Sequence, residues 1–219
     1  MIKNFAVIFV MDGVIVDSNP HHKIALEKFC RQHGHELSDQ QLQEKVYGRT
    51  NKDWLTNLFG NREEKQLQSY ADEKEALFRE LYKDVIVPLK GLRNFLDLLN
   101  HHQIPRAIAT SAPRTNVDFT LSKTGLEKYF PVILDDTFVS RGKPDPEIYI
   151  KAAAALGLPN RQCIVLEDSI SGVQAGRSAG SKVVGVSTTH TADVLKDTDM
   201  VIDDFDSLNL TSLIALIKQ

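Results

Sequence analysis

Short, uninterrupted apolar runs alternate with amphipathic stretches at the start of the chain and from about residue 86 onward. Uniformly apolar strands that alternate with helices are typical of a parallel sheet covered by helices on both faces. We therefore predict an α/β fold, a doubly wound, Rossmann-like parallel sheet of five or six strands. The predicted strands are residues 6–10, 107–109, 132–134, 163–166, 182–186 and 200–202. The predicted helices between them are residues 91–102, 114–124, 146–156 and 170–179, with one more at the C-terminus.

Residues 19–85 contain no such apolar run, and their pattern is that of helices. We predict a core domain formed by residues 1–18 and 86–219. A small all-helical cap domain, residues 19–85, is inserted after the first strand. Two linkers, over residues 14–20 and 85–91, are predicted to act as hinges. The predicted cap helices are residues 21–33, 39–47, 51–58 and 62–84.

Charge and composition exclude several classes of protein. The net charge is −3, and no stripe of lysine and arginine is present, which argues against nucleic-acid binding. No apolar run approaches membrane-spanning length, and the N-terminus lacks the pattern of a secretory leader. Cys30 and Cys163 are interpreted as buried free thiols in a reducing compartment. We expect a cytoplasmic monomer that binds neither nucleic acid nor membranes.

Polar groups follow the first two predicted strands where those strands end. Asp12 ends the first apolar run, and the carboxyl ends of parallel strands are where such sheets build ligand sites. A turn aspartate that caps the next element explains Asp12 equally well. Thr110, Ser111 and Ala112 follow the second strand, and hydroxyl and N–H groups at a helix start can bind an anion. Taken alone, a helix N-cap is the simpler explanation of these three residues.

A lysine and two acids complete the set of candidate residues. Lys143 lies in a proline-rich segment, and alone it would be an ordinary surface lysine. Glu167 and Asp168 follow a buried run, where adjacent acids are costly unless they are solvated, cap a helix or bind a metal. We favour a metal, and oxygen ligands of this kind suit Mg²⁺. Carboxylates, an anion site and a lysine at one sheet edge together predict phosphoryl transfer.

Four segments, in this order, resemble the haloacid dehalogenase superfamily of phosphohydrolases and phosphomutases. The similarity is to the branch with a helical cap after the first strand, which includes β-phosphoglucomutase-like proteins, and it covers nearly the whole chain. The segments are residues 11–18, 109–111, 142–147 and 166–173.

The resemblance implies a role for each residue that would handle the phosphoryl group. Asp12 would be the general acid/base for the oxygen that leaves or attacks. Thr110 would bind the transferring group, with help from the backbone at Ser111 and Ala112. Lys143 would neutralise the charge of that group and of the nucleophile.

The resemblance also implies a magnesium site, and at one position of that site this chain differs from the family. Glu167 and Asp168 would hold Mg²⁺, Asp168 more directly, and the backbone carbonyl of Asp12 would face the ion. The family's aspartyl nucleophile, which forms the phospho-enzyme and ligates the metal, corresponds to Val10. Valine has no lone pair for either task, so we expect the activity of this chain to be abolished or very low. Three origins are open: an engineered change, a cloning error and a natural loss of catalysis. We favour the first two, because Asp to Val is a single-base change and every other motif is intact.

In the predicted cap, the resemblance implies residues that would set substrate specificity and a histidine that would serve a mutase. Arg49 and Asn51 belong to a segment similar to the loop that closes over the substrate. His22 aligns with a hinge histidine that assists acid/base chemistry in the mutases, although an ordinary helix-surface histidine is the simpler explanation. Mutase members tend to carry Lys and Arg at the positions of Tyr47 and Asn51, and this departure favours a phosphatase.

Three functions follow from these observations. The first is a Mg²⁺-dependent phosphatase acting on a small phosphorylated metabolite that resembles a sugar phosphate. The second is a phosphomutase of the β-phosphoglucomutase type. The third is a catalytically dead protein that binds a phosphorylated ligand or regulates through it.

Overall fold

Among the residues that the structure describes, six parallel strands form one sheet in the larger of two compact units. The computed structural model describes residues 5–38, 40–42 and 51–218. Along the sheet the strands follow the order β3-β2-β1-β4-β5-β6, and every neighbouring pair is parallel. The predicted doubly wound α/β sheet is therefore confirmed, with the larger of the two predicted strand counts. The strands are β1 (Ala6–Phe9), β2 (Arg106–Ala109), β3 (Val132–Leu134), β4 (Cys163–Glu167), β5 (Lys182–Val186) and β6 (Met200–Ile202).

The helices lie close to the predicted segments. The prediction over residues 39–47 falls mostly outside the described residues. The helices are α1 (Asn19–Gln32), α2 (Asn51–Phe59), α3 (Glu64–Tyr82), α4 (Leu92–His101), α5 (Arg114–Thr124), α6 (Glu147–Ala155), α7 (Ile170–Ser178) and α8 (Leu210–Lys218). Short 3-10 turns occupy Glu127–Tyr129, Asp136–Phe138 and Asn160–Gln162. None of the described helices is both long enough and apolar enough to cross a membrane.

The core of the larger unit is built around the central strand β1, which is buried at every position. The Phe9 ring packs among the rings of Phe95, Phe130 and Phe205, with centroid distances of 6.2, 5.4 and 6.3 Å. Burying an aromatic side chain of this size contributes about 2–3 kcal/mol by removing apolar area from water. A central strand without polar side chains therefore anchors the sheet, and the polar chemistry begins where the strand ends.

The smaller unit is Ser18–Val85, and the larger is formed by Met1–Asp17 and Ile86–Gln219. The described part of the smaller unit contains helices and no strand. Helix α3 packs against both α1 and α2. The buried cluster that holds this unit together comprises Leu26, Phe29, Cys30, Leu42, Trp54, Leu55, Leu67 and Ala71.

The two chain segments that lead into and out of the smaller unit are hydrogen-bonded to each other. Val16 forms an antiparallel bridge with Pro88, and the Leu89 N–H donates to the Ile15 carbonyl at 2.9 Å. Residues 14–16 are fully buried. The predicted hinges over residues 14–20 and 85–91 therefore include residues fixed within the larger unit, and Pro20 lies in the first turn of α1.

Cys30 and Cys163 are free and buried, as the sequence predicts. Burial raises the pKa of each thiol to about 11, and in Cys30 the charge of Glu27 adds to the effect. The reactive thiolate is therefore scarce at neutral pH, which marks both residues as packing residues.

A tight junction connects β4 to α7. Ser169 caps α7, with its hydroxyl accepting from the Gly172 N–H at 3.1 Å. The same serine donates its N–H and its hydroxyl to Glu167 Oε2, at 2.7 and 3.0 Å. A Cβ at position 172 would lie 1.7 Å from Glu167 Oε1, so only glycine fits beside this carboxylate.

We predict that Gly172→Ala destabilises the protein by about 1–3 kcal/mol, because the added methyl displaces a carboxylate that is held in place. Gly142→Ala is the matched control, since nothing lies within 4 Å of its Cβ position. Thermal unfolding followed by circular dichroism measures both variants. If Gly172→Ala melts at the same temperature as the parent, Gly172 does not pack closely against the Glu167 carboxylate.

Candidate active site

The carboxyl ends of three neighbouring strands bring the predicted site residues to one edge of the sheet. In the register of the sheet, Phe9 pairs with Ile108 on one side and with Leu166 on the other. Val10 continues β1, and its N–H donates to the Leu166 carbonyl at 3.2 Å. By this register Val10 lies level with Glu167, the last residue of β4. Thr110 and Asp168 follow β2 and β4 one residue further along, and Asp12 lies two residues beyond Val10. The structure groups these residues, and their chemical roles remain predictions.

Glu167 is a fully buried carboxylate whose two oxygens accept four hydrogen bonds. Lys143 Nζ donates to Oε1 at 2.6 Å, and the Tyr149 hydroxyl donates to the same oxygen at 2.9 Å. Ser169 donates to Oε2 twice. Burial alone raises the pKa of this carboxyl, but the Lys143 charge and the hydrogen bonds outweigh burial and hold the pKa below its usual range. Glu167 is therefore a carboxylate stabilised by a lysine, a tyrosine and a serine.

Lys143 is held between that carboxylate and an aromatic ring. Its side chain is 8% exposed, and Nζ lies 5.1 Å from the centroid of the Tyr149 ring. Burial and the neighbouring Glu167 charge raise the pKa of the Tyr149 hydroxyl well above its usual value, so it remains a proton donor. The lysine predicted to meet a phosphoryl group is thus already in place beside the strand ends.

The loop that carries Lys143 is held by Glu147, a residue with no role predicted from the sequence. Glu147 Oε2 accepts from the N–H groups of Ser140 and Arg141, both at 3.0 Å, and from the Ser140 hydroxyl. Its other oxygen accepts from Lys151 at 2.6 Å. These bonds, with Lys151 the strongest contributor, lower the pKa of Glu147 to about 2. The signal that could have identified Glu147 is its position directly after the proline-rich segment that carries Lys143.

Asp168 lies against the turn that carries Asp12. Gly13 in that turn has φ +73°, and a Cβ there would lie 2.1 Å from Asp168 Oδ2. Burial and the charge of Glu167 raise the pKa of the Asp168 carboxyl to about 7, with Asp12 adding to the effect and a hydrogen bond from Thr189 opposing it. A buried acid crowded by other acids is a position that a cation stabilises.

Two hydroxyls after β5 reach this turn and the acid that lies against it. Thr188 donates to the Gly13 carbonyl at 2.6 Å, and Thr189 donates to Asp168 Oδ2. Neither residue was identified from the sequence. Three consecutive hydroxyl residues, 187–189, directly after a buried strand were the signal that could have identified them.

The predicted anion site after β2 is partly occupied by an internal contact. Thr110 is buried, and its Oγ1 accepts from the Ala112 N–H at 3.1 Å, whereas Ser111 is exposed. The Ala112 amide is therefore engaged with Thr110 in this structure. A phosphoryl group bound here would have to share or replace that contact.

In the helical unit, His22 is held by a pair of buried charges. Its Nδ1 lies 3.3 Å from Lys74 Nζ, which donates to Glu75 Oε1 at 2.7 Å. The imidazole also stacks on the Phe78 ring, with a centroid distance of 3.6 Å. Asn51 accepts a hydrogen bond from the Trp54 indole at 2.9 Å. Arg49, the other predicted specificity residue, lies outside the described residues.

The chain is an α/β protein with a doubly wound sheet, and proteins of this class bind their ligands at the carboxyl ends of the strands, where the Lys143–Glu167 pair lies. The family model of haloacid dehalogenase-like hydrolases matches residues 7–186, and the chain belongs to that family. It is an enzyme of the haloacid dehalogenase type by this relationship.

Similar proteins include two curated enzymes and one solved structure. A phosphorylated carbohydrates phosphatase from Thermotoga maritima is 34% identical, over 83% of this chain and 84% of its own length. A β-phosphoglucomutase from Bacillus subtilis is 31% identical, over 83% of this chain and 82% of its own length. The crystal structure of a haloacid dehalogenase hydrolase of family IA, variant 3, from Entamoeba histolytica is 31% identical. It aligns with a TM-score of 0.90 and covers 98% of this chain and 100% of its own.

The donor set at the strand ends fits Mg²⁺, which phosphatases and phosphomutases of this family generally use. Within residues 5–38, 40–42 and 51–218, no group of three or more His, Cys, Asp or Glu side chains could hold a metal ion. Magnesium rarely needs such a group, because one or two carboxylates, waters and a phosphate complete its coordination. The Asp168 carboxylate and the Asp12 carbonyl have oxygen donors of the kind that Mg²⁺ prefers and would be the groups to hold it, while Glu167 is already paired with Lys143.

We predict that Tyr149→Phe costs about 1.5–3 kcal/mol of unfolding free energy, because it removes a hydrogen bond to a buried charge. Tyr129→Phe is the matched control. The Tyr129 hydroxyl donates to Asp97 at 2.5 Å, and Asp97 is exposed, so water replaces the lost donor. Urea denaturation of the parent and both variants gives the comparison. If both variants lose the same unfolding free energy, the hydrogen bond to the buried Glu167 carboxylate is worth no more than one to an exposed carboxylate.

Proposed function

We propose that this protein is built as a Mg²⁺-dependent phosphatase for a small, sugar-phosphate-like metabolite, and that Val10 removes most or all of its turnover. The observation that carries the proposal is the grouping of Lys143, Glu167, Asp168 and the Asp12 turn at one sheet edge. The relatives named as a carbohydrate-phosphate phosphatase and a β-phosphoglucomutase support the substrate class.

Each residue of the site contributes a distinct physical effect. Lys143 offsets the negative charge of the phosphoryl group, and Glu167 keeps the lysine charged and in place. The Thr110 hydroxyl donates a hydrogen bond to a phosphoryl oxygen. Asp12 gives a proton to the oxygen that leaves, which avoids release of an alkoxide. Mg²⁺, held by Asp168 and the Asp12 carbonyl, would supply further positive charge.

In this chain the covalent step has no nucleophile. Val10 is 6% exposed and cannot attack phosphorus or bind a cation. In other enzymes the loss of a nucleophile costs on the order of 10⁶ in rate. A valine is, however, favourable in this position of a buried strand, and it removes one acid from a crowded group of acids.

We predict that Val10→Asp lowers the melting temperature without metal and that Mg²⁺ restores it. The added carboxylate repels Asp168 and Glu167 until a cation binds. Val10→Asn is the matched control, because it has nearly the same shape as Asp without the charge. Thermal unfolding with and without Mg²⁺ measures all three proteins. Identical melting temperatures for Val10→Asp and the parent under both conditions would refute the expected repulsion.

We also predict that Val10→Asp releases inorganic phosphate and that the parent and Val10→Asn do not. The screen covers sugar phosphates, polyol phosphates and pyrophosphate, with Mg²⁺ present. Activity that appears only in Val10→Asp assigns the defect to position 10. The absence of activity from all three proteins, on every substrate, would overturn the proposed function.

A mutase is the second candidate, because His22 is not an ordinary surface residue. The contacts with Lys74 and Phe78 fix its ring, as expected for a group that assists proton transfer. In a Val10→Asp protein, His22→Ala should abolish mutase activity and reduce hydrolysis only slightly. His101→Ala is the control, since this histidine is exposed at the end of α4. Equal, small effects of both substitutions on every activity would remove the mutase from consideration.

A catalytically dead ligand-binding protein is the remaining alternative. Saturable binding of a phosphorylated metabolite, with no product from either the parent or Val10→Asp, would favour it. We further propose that Ser18–Val85 acts as the cap over the site and that the protein is a cytoplasmic monomer. The two buried free thiols are compatible with a reducing compartment.

A further inference from the structure

Residues 187–189 form a turn whose three hydroxyls reach three different strand ends. Ser187 donates its N–H to the Ile202 carbonyl at 2.9 Å, and its hydroxyl contacts Asp203. This fixes the turn to the end of β6. Thr188 then reaches the turn after β1, and Thr189 reaches the acid after β4. The hydroxyl turn thus connects segments that are far apart in the sequence and lie at the same sheet edge.

The contact of Thr188 fixes the backbone that carries Asp12. Its hydroxyl donates to the Gly13 carbonyl at 2.6 Å, and the Gly13 N–H donates in turn to the Val16 carbonyl at 2.8 Å. Both peptide groups that flank the Gly13 Cα are therefore held. Because Asp12 shares a peptide bond with Gly13, the position of its side chain depends on this arrangement.

The contact of Thr189 limits the rotation of Asp168. The oxygen that accepts from Thr189 is Oδ2, the same atom that lies 2.1 Å from the point where a Cβ on Gly13 would stand. A carboxylate held at one oxygen by a donor and by steric contact has a fixed plane, so the direction of its other oxygen is set. Thr189 itself is exposed, so its side chain can be changed without opening the core.

We propose that Thr188 and Thr189 are positioning residues of the phosphoryl-transfer site. Thr188 places the acid/base Asp12, and Thr189 orients Asp168 towards the cation. This inference rests on the proposed function, since it assumes that Asp12 and Asp168 have the roles given above. It assigns a task to a turn that contributes no ligand and no catalytic group of its own.

The role of Thr189 is tested by measuring Mg²⁺ binding to the Val10→Asp protein. Titration calorimetry gives the affinity without any need for turnover. Thr189→Val keeps the shape of the side chain and removes the hydrogen-bond donor. We expect about tenfold weaker Mg²⁺ binding, as is typical when a metal ligand loses the partner that orients it. Thr189→Ser keeps the donor and should bind within about twofold of the reference. Equal affinities in all three proteins, or equal losses in both variants, would overturn the role of the hydroxyl.

The Thr188 part is tested by steady-state kinetics in the same background. Thr188→Val should lower kcat by about tenfold with little change in KM, because a displaced acid/base affects the transition state more than substrate binding. Thr188→Ser should restore kcat. A change in KM alone, or no rescue by serine, contradicts the proposal.

The same measurements distinguish failure of the proposed function from failure of the positioning role. If Val10→Asp neither binds Mg²⁺ nor releases phosphate, the function is wrong and this inference falls with it. If Val10→Asp does both and the valine variants match it, only the inference is wrong.

Discussion

The buried ion pair between Lys143 and Glu167 is the constraint on which the rest of the site depends. A fully buried carboxylate is tolerated only when its oxygens are paired, and removal of one partner from such a pair typically costs about 3–5 kcal/mol. Here the partners come from different elements: the Lys143 loop, Tyr149 on α6 and Ser169 at the start of α7. One carboxylate therefore fixes the position of three segments around the end of β4. Gly172 belongs to the same arrangement, because its lack of a side chain provides the space.

Much of the fold could be predicted from the sequence because the signal is local. Continuous apolar runs identify the six strands, and amphipathic periodicity identifies the helices between them. The sheet edge where Val10, Thr110 and Glu167 meet follows from the rule that parallel strands share a carboxyl end. Helix ends were less well predicted, as shown by α3, which is shorter at both ends than the predicted span of residues 62–84.

The side-chain network could not be predicted, because it depends on approaches between segments distant in the sequence. Lys143 resembles a phosphate-binding lysine, yet nothing local in the sequence reveals that Glu167 is its partner, 24 residues away. The contact between Thr188 and Gly13 spans 175 residues and depends on the position of β5 in the sheet. Glu147 is the opposite case, since its bonds to Ser140, Arg141 and Lys151 are all close in sequence. A turn analysis of residues 140–147 could have found it.

The bridge between Val16 and Pro88 has a consequence for how this family can diversify. The chain leaves the larger unit after Asp17 and returns to it at Ile86, and residues close to these two points are hydrogen-bonded to each other. Because the entropy cost of closing a loop grows only slowly with its length, a longer inserted unit adds little to the cost of bringing these two segments together. An insert attached at one closed point can be shortened, lengthened or replaced while the sheet keeps its register.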